Sequence, residues 1–352
     1  MIACITEGWQ VKARIKKWLI AFAIIMIVFV GWLRFGNPRI KREPPDVRQD
    51  LTLPLQVVSL NAHLLPGAAR WLVSHRSNAD YRTREIVRRF KQYDLIGLCE
   101  VFDESQAAAL IDGFNSNQEF EFIRSPPPPR LLHFTSGGLL LLSKHAMTEQ
   151  ANLTFTEGSR FFTSGFRSAD GLAAKGALFA KLKTTSPDCP EIDCYLTHLE
   201  SDSAEIRTSQ LIELAGFIQA TRDPATPFVL MGDLNISGPK SPSDNSSTEV
   251  THLEYNQMLK QLSFANTRLI DTGLPNSLET SGTSNPISES GGQRIDYVFL
   301  GIPEQDSSTL APRIQATTQV LRLKDEHVPE GSLSDHAALL TTLATQPNTQ
   351  SP

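Results

Sequence analysis

Phe228-Val229-Leu230-Met231 is an unbroken apolar run, the pattern of a strand buried on both faces. It stops at Gly232, and an acid and an amide follow two residues apart, Asp233 and Asn235. Gly, Asp and Asn are ordinary turn residues, so this stretch alone also reads as a strand entering a turn. What argues for a site is the cost of the alternative. A dry sheet gains nothing from a carboxylate and a carboxamide placed at its end.

The same grammar recurs along the chain. Leu55 to Leu60 reads as a strand that delivers Asn61, and Leu95 to Cys99 as a second that delivers Glu100. Between them, Tyr81 to Tyr93 reads as a helix with Ile86, Val87 and Phe90 on one side. Asp103 and Ser105 can cap a helix running to Phe114. Pro126 to Pro129 mark an exposed loop, after which Gly137-Gly138 opens the strand Leu139 to Leu142. Gly176 to Leu182 and Ile192 to Leu196 pair about a turn, and the second delivers Thr197-His198. Ser203 to Ala220 is a helix with Leu211, Leu214, Ala215 and Ile218 on one face. Beyond the Ser237 to Ser247 loop, Leu253 to Leu262 reads as a helix. Arg294 to Leu300 is a strand that includes Asp296, and Leu333 to Leu343 begins Ser334-Asp335-His336 and continues as a strand. One apolar strand after another thus ends in Asp, Asn, Glu or His, where ordinary strand ends would scatter Gly, Ser and Lys.

The chain of 352 residues has the composition of a globular protein, 40% hydrophobic and 20% charged, but its charge is uneven. Eight of the 33 Lys/Arg and two of the 38 Asp/Glu lie in residues 1–45, so the remainder holds 25 bases against 36 acids, a net of -11. A body that acidic is poorly suited to tracking a polyanion such as duplex DNA. Trp18 to Leu33 is a charge-free apolar run with Lys16 and Lys17 before it and Arg34 after it. Its sixteen residues span roughly 24 Å as a helix, and flanking Lys/Arg and Trp can make up the difference to a bilayer core. No A-x-A-like cleavage site follows, so the run reads as an uncleaved single-pass anchor. Bases on both sides leave the positive-inside bias weak; the expected placement of the body is extracytoplasmic. The expected organisation is a basic tail 1–17, anchor 18–33, Pro-containing linker 34–50, catalytic domain 51–345 and polar tail 346–352. Four cysteines give no C-x-x-C pair for zinc; Cys99 reads as buried, and Cys189 with Cys194 leaves a local disulfide open.

N61, D-L-I-G-L-C-E100, T-H198-L, G-D233-L-N235, R-I-D296-Y and S-D335-H336 stand in an order that resembles the endonuclease/exonuclease/phosphatase superfamily, the DNase I-like fold. The likeness covers roughly residues 55 to 343. It implies an α/β four-layer sandwich, two mixed, largely antiparallel sheets face to face with helices outside, preceded here by a transmembrane helix. It further implies a Mg²⁺-dependent phosphoesterase site at one edge of the two sheets, with Mn²⁺ or Co²⁺ able to substitute, and no organic cofactor. The residue types suit that chemistry. Mg²⁺ is hard and prefers carboxylate oxygen and water, as Glu100 offers. By resemblance, Glu100, Asn61 and Asp335 belong to the metal. His336 is the natural general base for water, and Asp296 resembles the carboxylate that orients it. Asp233 and Asn235 position water, metal or phosphate, and His198 resembles the donor to a non-bridging phosphate oxygen.

Smaller motifs are similar to neutral and bacterial sphingomyelinases: E100-V-F-D103, S136-G-G138, D170-G-L-A-A-K175-G176, and T197-H-L-E-S followed by I206-R-T-S-Q210. In the third, Asp170 and Lys175 resemble a switchable acid–base pair, and a Lys near a diester has an independent rationale as a point charge. The alternative for Lys175 is a solvated hairpin lysine. The resemblance thus implies hydrolysis of a phospholipid head group at a membrane surface, sphingomyelin to ceramide and phosphocholine, without nucleic acid or an obligate protein partner. The alternatives are a metal-dependent endonuclease or exonuclease of the same fold, or an inositol-phosphate phosphatase. Arg160 to Phe166 is the one stretch comparable to the exposed aromatic hairpin of secreted sphingomyelinases, and it also reads as core strand.

Overall fold

The computed structural model describes residues 51–66, 78–127, 135–158, 173–184, 190–239, 252–274, 283–284, 292–304 and 314–345. The apolar run 18–33, the linker 34–50, Asp170, the stretch 160–166, Cys189 and the tail 346–352 lie outside the described residues. Among the described residues no helix is long and apolar enough to cross a membrane.

In chain order the described elements are β1 (Leu55–Leu64), α1 (Ala79–Phe90), β2 (Leu95–Val101), α2 (Glu104–Phe114), β3 (Glu121–Arg124), β4 (Leu140–Ser143), β5 (Met147–Thr154) and β6 (Gly176–Leu182). There follow β7 (Ile192–His198), α3 (Ala204–Thr221), β8 (Phe228–Asp233), α4 (Leu253–Gln261), β9 (Thr267–Asp271), β10 (Asp296–Pro303), β11 (Ile314–Leu321) and β12 (Ala338–Thr345). They form two six-stranded sheets, β11-β12-β1-β2-β4-β3 and β5-β6-β7-β8-β10-β9. Each sheet has a parallel pair at its centre, β1 with β2 and β7 with β8, while the other ladders are antiparallel. A parallel pair needs a crossover, and α1 and α3 supply the two crossovers. Asp103 caps α2 by accepting from the Ser105 and Gln106 amides, and Ser203 caps α3 by accepting from the Ile206 amide.

The apolar runs have their explanation in the layering. Along β8, Val229 and Met231 point into a core between the sheets, whereas Phe228 and Leu230 pack toward Leu211, Leu214 and Ile218 of α3. β1 divides likewise: Leu55 and Val57 face the other sheet, while Val58 and Leu60 join Ile86, Phe90, Leu110 and Phe114 of the outer helices. Strands with both faces dry must be apolar at every position. The sheets approach so closely at Gly97 that a Cβ there would lie 2.8 Å from Met231 Sδ and 2.9 Å from Leu196 Cδ1. The result is the expected four-layer α/β sandwich.

Cys194 is a free, buried thiol, and Cys189 lies outside the described residues. Two local expectations are corrected. The last strand starts at Ala338 rather than Leu333, because side chains and a loop capture the backbone before it. The His336 amide donates to Ser334 Oγ and the Ala337 amide to the Thr283 carbonyl. Four strands go unread in the sequence, β3, β5, β9 and β11, and they are the four sheet edges. Edge strands carry polar, half-exposed residues, as in Met147–Thr154 (MTEQANLT), so they lack an apolar run.

Candidate active site

The inward-facing positions continue past the apolar core without a change of register. In β7, Cys194 and Leu196 are followed two residues on by His198; in β8, Val229 and Met231 are followed by Asp233. β10 runs the other way, so Leu300 and Val298 lead back to Asp296. His198 pairs with Asp233 and Asp233 with Asp296, which makes one rung of polar groups across three strands. Across the gap, Val57 and Ser59 lead to Asn61 on β1. The candidate site is the next layer of the inter-sheet core, written in polar residues.

Two backbone devices adapt the strand ends. Leu98 and Val101 both pack into the outer core, so the alternation of β2 slips between them. The slip occurs at Glu100, which is left-handed at φ 56, and it brings the carboxylate to Asn61. A left-handed non-glycine residue costs roughly 1–2 kcal/mol, a strain characteristic of functional positions. Gly232, at φ 141, precedes Asp233, and a Cβ there would lie 1.9 Å from the Thr197 carbonyl oxygen of the neighbouring parallel strand.

Asn61 Nδ2 donates to Glu100 Oε1 at 2.9 Å and to Asp233 Oδ2 at 3.0 Å, tying the two sheets together at the site. His336 Nδ1 lies 2.8 Å from Asp296 Oδ2, which leaves Nε2 facing Asp233 Oδ2 at 3.8 Å. Asp296 is held in turn by Thr283 Oγ1, which accepts from its amide. His198 Nε2 lies 3.8 Å from Asp233 Oδ2 and 3.9 Å from Glu100 Oε1. Lys175 Nζ, buried, reaches His198 Nε2 at 3.1 Å and the Leu199 carbonyl. An ammonium only donates, so Nε2 accepts in this contact and cannot donate to a ligand at the same time. Asn235, left-handed at φ 52, binds Asp233 Oδ1 with its amide and the Leu199 carbonyl with Nδ2. Lys175 is therefore part of the site and not a solvated hairpin lysine.

The shorter motifs dock on one another. Arg207 Nη1 donates to the Glu200 and Ser201 carbonyls, and Gln210 Oε1 accepts from the Glu200 amide, so the R-T-S-Q run clamps the turn that follows His198. Gly138, at φ 66, packs on Phe102, whose ring would lie 2.5 Å from a Cβ, and this joins S-G-G to E-V-F-D.

His63 is the residue that the sequence reading omits. Its Nδ1 lies 3.0 Å from Asp335 Oδ2 and 3.3 Å from Glu100 Oε2. The available signal is its spacing of two from Asn61 on a strand that runs to Leu64, four residues beyond the apolar run. Ser334 Oγ donates to the Asn61 carbonyl and buried Arg82 to the Leu333, Ala62 and His63 carbonyls, so the 333–336 segment is fixed to the end of β1.

The electrostatics follow from carboxylates and imidazoles crowded together. Burial alone would raise the Glu100 carboxyl, but the hydrogen bond and charge of His63, aided by His198, hold it at about 2. Burial would lower the His63 imidazole, yet Asp335 and Glu100 raise it to about 9. Burial and then Asp296 push the Asp233 carboxyl up. His336 is raised well above the ordinary imidazole range by Asp296 and Asp233 despite its burial. Side-chain exposure rises from 2% at Asp233 and Asp296 to 18% at Glu100 and 35% at Asp335, so the open side of the site is the Glu100–Asp335 rim.

Such a carboxylate excess fits a divalent cation. Glu100, His198 and Asp233 each present a ligand atom within 4.8 Å of the others, and so do Asp233, Asp296 and His336. The oxygens of Glu100, Asp233, Asp335 and Asn61 give the set the hardness that Mg²⁺ requires.

Sphingomyelinase C of Bacillus cereus is 25% identical over 334 residues, covering 86% of this chain and 89% of that protein. Among solved structures, beta toxin from Staphylococcus aureus with bound magnesium ions superposes with a TM-score of 0.59 at 18% identity, covering 82% of this chain and 99% of that one. Sphingomyelinase C from Streptomyces griseocarneus gives a TM-score of 0.55 at 19% identity, covering 83% and 99%. A family model described as the endonuclease/exonuclease/phosphatase family matches residues 59–336, from the strand that carries Asn61 to the His336 paired with Asp296. The chain belongs to the endonuclease/exonuclease/phosphatase family of metal-dependent phosphoric-ester hydrolases.

Proposed function

We propose that this chain is a divalent-metal phosphodiesterase, tethered to a membrane by residues 18–33, that hydrolyses sphingomyelin to ceramide and phosphocholine. The observation that carries the chemistry is the His198–Asp233–Asp296 rung with His336 fixed on Asp296. With Nδ1 taken by Asp296, Nε2 of the neutral ring is the atom that receives the proton of the attacking water, which requires a cation's charge nearby to offset the carboxylates that raise this imidazole, and Asp233 orients that water. Lys175 and His198 face the phosphate side, where Lys175 supplies positive charge and, as its Nζ turns to the ligand, a proton passed from Nζ to His198 Nε2 would let that atom donate. Glu100, Asn61 and Asp335 would hold the cation, with Asp233 adjoining it. A cation held there would supply the charge that polarises the phosphoryl oxygens and offsets charge developing on them.

A lipid substrate is supported by the likeness to sphingomyelinases C over most of the chain, by the docked motifs around His198 and Gly138, and by the acidic body behind an apolar run.

The test is phosphocholine release from sphingomyelin vesicles by the full chain, with Mg²⁺ and with EDTA, alongside nicking of supercoiled plasmid. Mg²⁺-dependent release without nicking is the expected result. Nicking without lipid cleavage would move the substrate to nucleic acid, and inactivity on both would sink the sphingomyelin reading.

A further inference from the structure

The strongest unassigned feature is His63, which stands between the two rim carboxylates. We propose that His63 is a positioning residue for the cation site: its Nδ1–H, shared by Asp335 and Glu100, holds both carboxylates in the orientation that receives the ion. This deepens the metal phosphodiesterase reading and rests on it.

The backbone is built to aim this ring. β1 bulges against β2 between Asn61 and Leu64, where three steps on one strand match two on the other, from Cys99 to Val101. His63 sits in that bulge at φ 49. Its amide donates to Asn61 Oδ1 at 3.1 Å, and its carbonyl accepts from Arg82 Nη2 at 3.0 Å. Arg82 also holds the Ala62 carbonyl at 2.6 Å, and through Nε it holds the Leu333 carbonyl at 2.6 Å. The residue that carries the imidazole is therefore pinned on the same buried guanidinium that pins the segment leading to Asp335.

The ring's place has a direct consequence for the carboxylates. Glu100 uses Oε1 for Asn61 and Oε2 for His63, so neither oxygen is left to rotate. Asp335 is the most exposed of these acids, at 35%; Ser334 Oγ lies 3.2 Å from its Oδ1, and His63 is the partner at Oδ2, on the side of Glu100. Each carboxylate oxygen offers two lone-pair positions, so a shared N–H orients the pair and still leaves room for an ion. Partners that orient metal ligands typically change metal affinity 10–100-fold when removed. His63 does not contribute to the hydrophobic core, which separates this role from packing.

The test is Mn²⁺ binding to the full chain, followed by electron paramagnetic resonance of the free ion, in wild type and in His63→Ala, His63→Gln and His63→Asn. The asparagine Nδ2 falls where the histidine Nδ1 lies, whereas the glutamine Nε2 reaches the position of Nε2. His63→Ala and His63→Gln should weaken Mn²⁺ about 10–100-fold, and His63→Asn should restore most of the loss. The metal-free protein should melt lower in the asparagine and glutamine variants alike, because both lose the charge pairing of His63 with Asp335 and Glu100. Should His63→Ala fold poorly, the contrast between the asparagine and glutamine variants carries the result. Binding in His63→Ala as tight as in wild type, or tighter, overturns the proposal, as does equal weakening in the asparagine and glutamine variants. If wild type binds no Mn²⁺, or Glu100→Ala binds it as well as wild type, the metal reading itself fails, and that outcome is distinct from the others.

Discussion

Asp296→Asn tests the orientation of His336 with little change of volume at the site. Asp296 is 2% exposed and accepts from His336 Nδ1 at 2.8 Å, a short charge-assisted bond in a dry setting. An asparagine fits the same volume but can respond in two ways. If its oxygen faces Nδ1, the bond survives as a neutral one, and roughly 1–1.5 kcal/mol of charge assistance is lost. If its NH₂ faces Nδ1, the ring proton moves to Nε2, and that atom no longer accepts a proton. In both cases the imidazolium formed during reaction lacks its counter-charge, worth up to about 4 kcal/mol at 4 Å and an effective dielectric near 20. The two losses together come to about 3–5 kcal/mol, and at 1.36 kcal/mol per decade that is a fall of roughly 10²–10⁴ in kcat. The assay is phosphocholine release from sphingomyelin in mixed micelles at saturating Mg²⁺, with Mn²⁺ affinity and melting temperature as controls. Both controls should hold, because Asp296 contacts the base and lies away from the Glu100–Asp335 rim. A kcat for Asp296→Asn within about threefold of wild type would refute the reasoning, since a neutral amide would then orient His336 as well as a carboxylate does.

Glu100→Ala should abolish activity and Mn²⁺ binding together, whereas His336→Ala should abolish activity with binding largely retained. Loss of binding in both would place His336 among the ligands. Gly97→Ala pushes a methyl against Met231 Sδ at 2.8 Å and Leu196 Cδ1 at 2.9 Å, and the cost is about 1–3 kcal/mol. Chemical denaturation should show it as a lower midpoint with an unchanged m-value. Burial pushes the Asp193 carboxyl up to about 6, against the Asp223 amide and Lys181. A folded-state value above the unfolded one means that the ionised group disfavours folding. The stability present below about 4 is therefore lost as pH rises through about 6. Asp193→Asn should raise the melting temperature at pH 7.5 by the equivalent of about 1–2 kcal/mol and leave it unaltered at pH 4. An equal effect at both pH values would contradict the ionisation argument.

The sequence discloses the centre of each sheet and conceals the margins. Leu95–Cys99, Gly176–Ala180 and Phe228–Met231 are apolar throughout because helices cover one face and the opposite sheet covers the other. β5 has no such double cover: Met147 is buried but Thr148, Glu149 and Gln150 are exposed in a row, so its pattern resembles a loop. β11 is similar, with Thr318 buried among polar neighbours through hydrogen bonds to Thr272 and Thr341 rather than through apolar packing. At the site, residues that continue a core strand are legible. His63 lies in a bulge, and Arg82 acts through carbonyl groups, so neither leaves a pattern in the chain.

The same layering decides why these particular polar residues sit where they do. Side chains alternate across a strand, so a position two residues past an inward apolar side chain also points inward. Leu196 then His198, Met231 then Asp233, and Val298 then Asp296 obey that rule on three adjacent strands, and direct pairing aligns them. Ser59 then Asn61 obeys it on the opposite sheet, where Asn61 closes the gap by donating to Asp233. The chemistry therefore borrows its rigidity from the core, because moving any of these groups means shifting a strand whose inner neighbours are fully buried. Glu100 is the exception, and its left-handed φ is the strain accepted to bring a carboxylate to the rim from a position whose alternation points outward. The deep groups that handle the proton thus stand on the regular lattice. The groups that would meet the ion, Glu100 and Asp335, stand on its distorted margin, held there by His63.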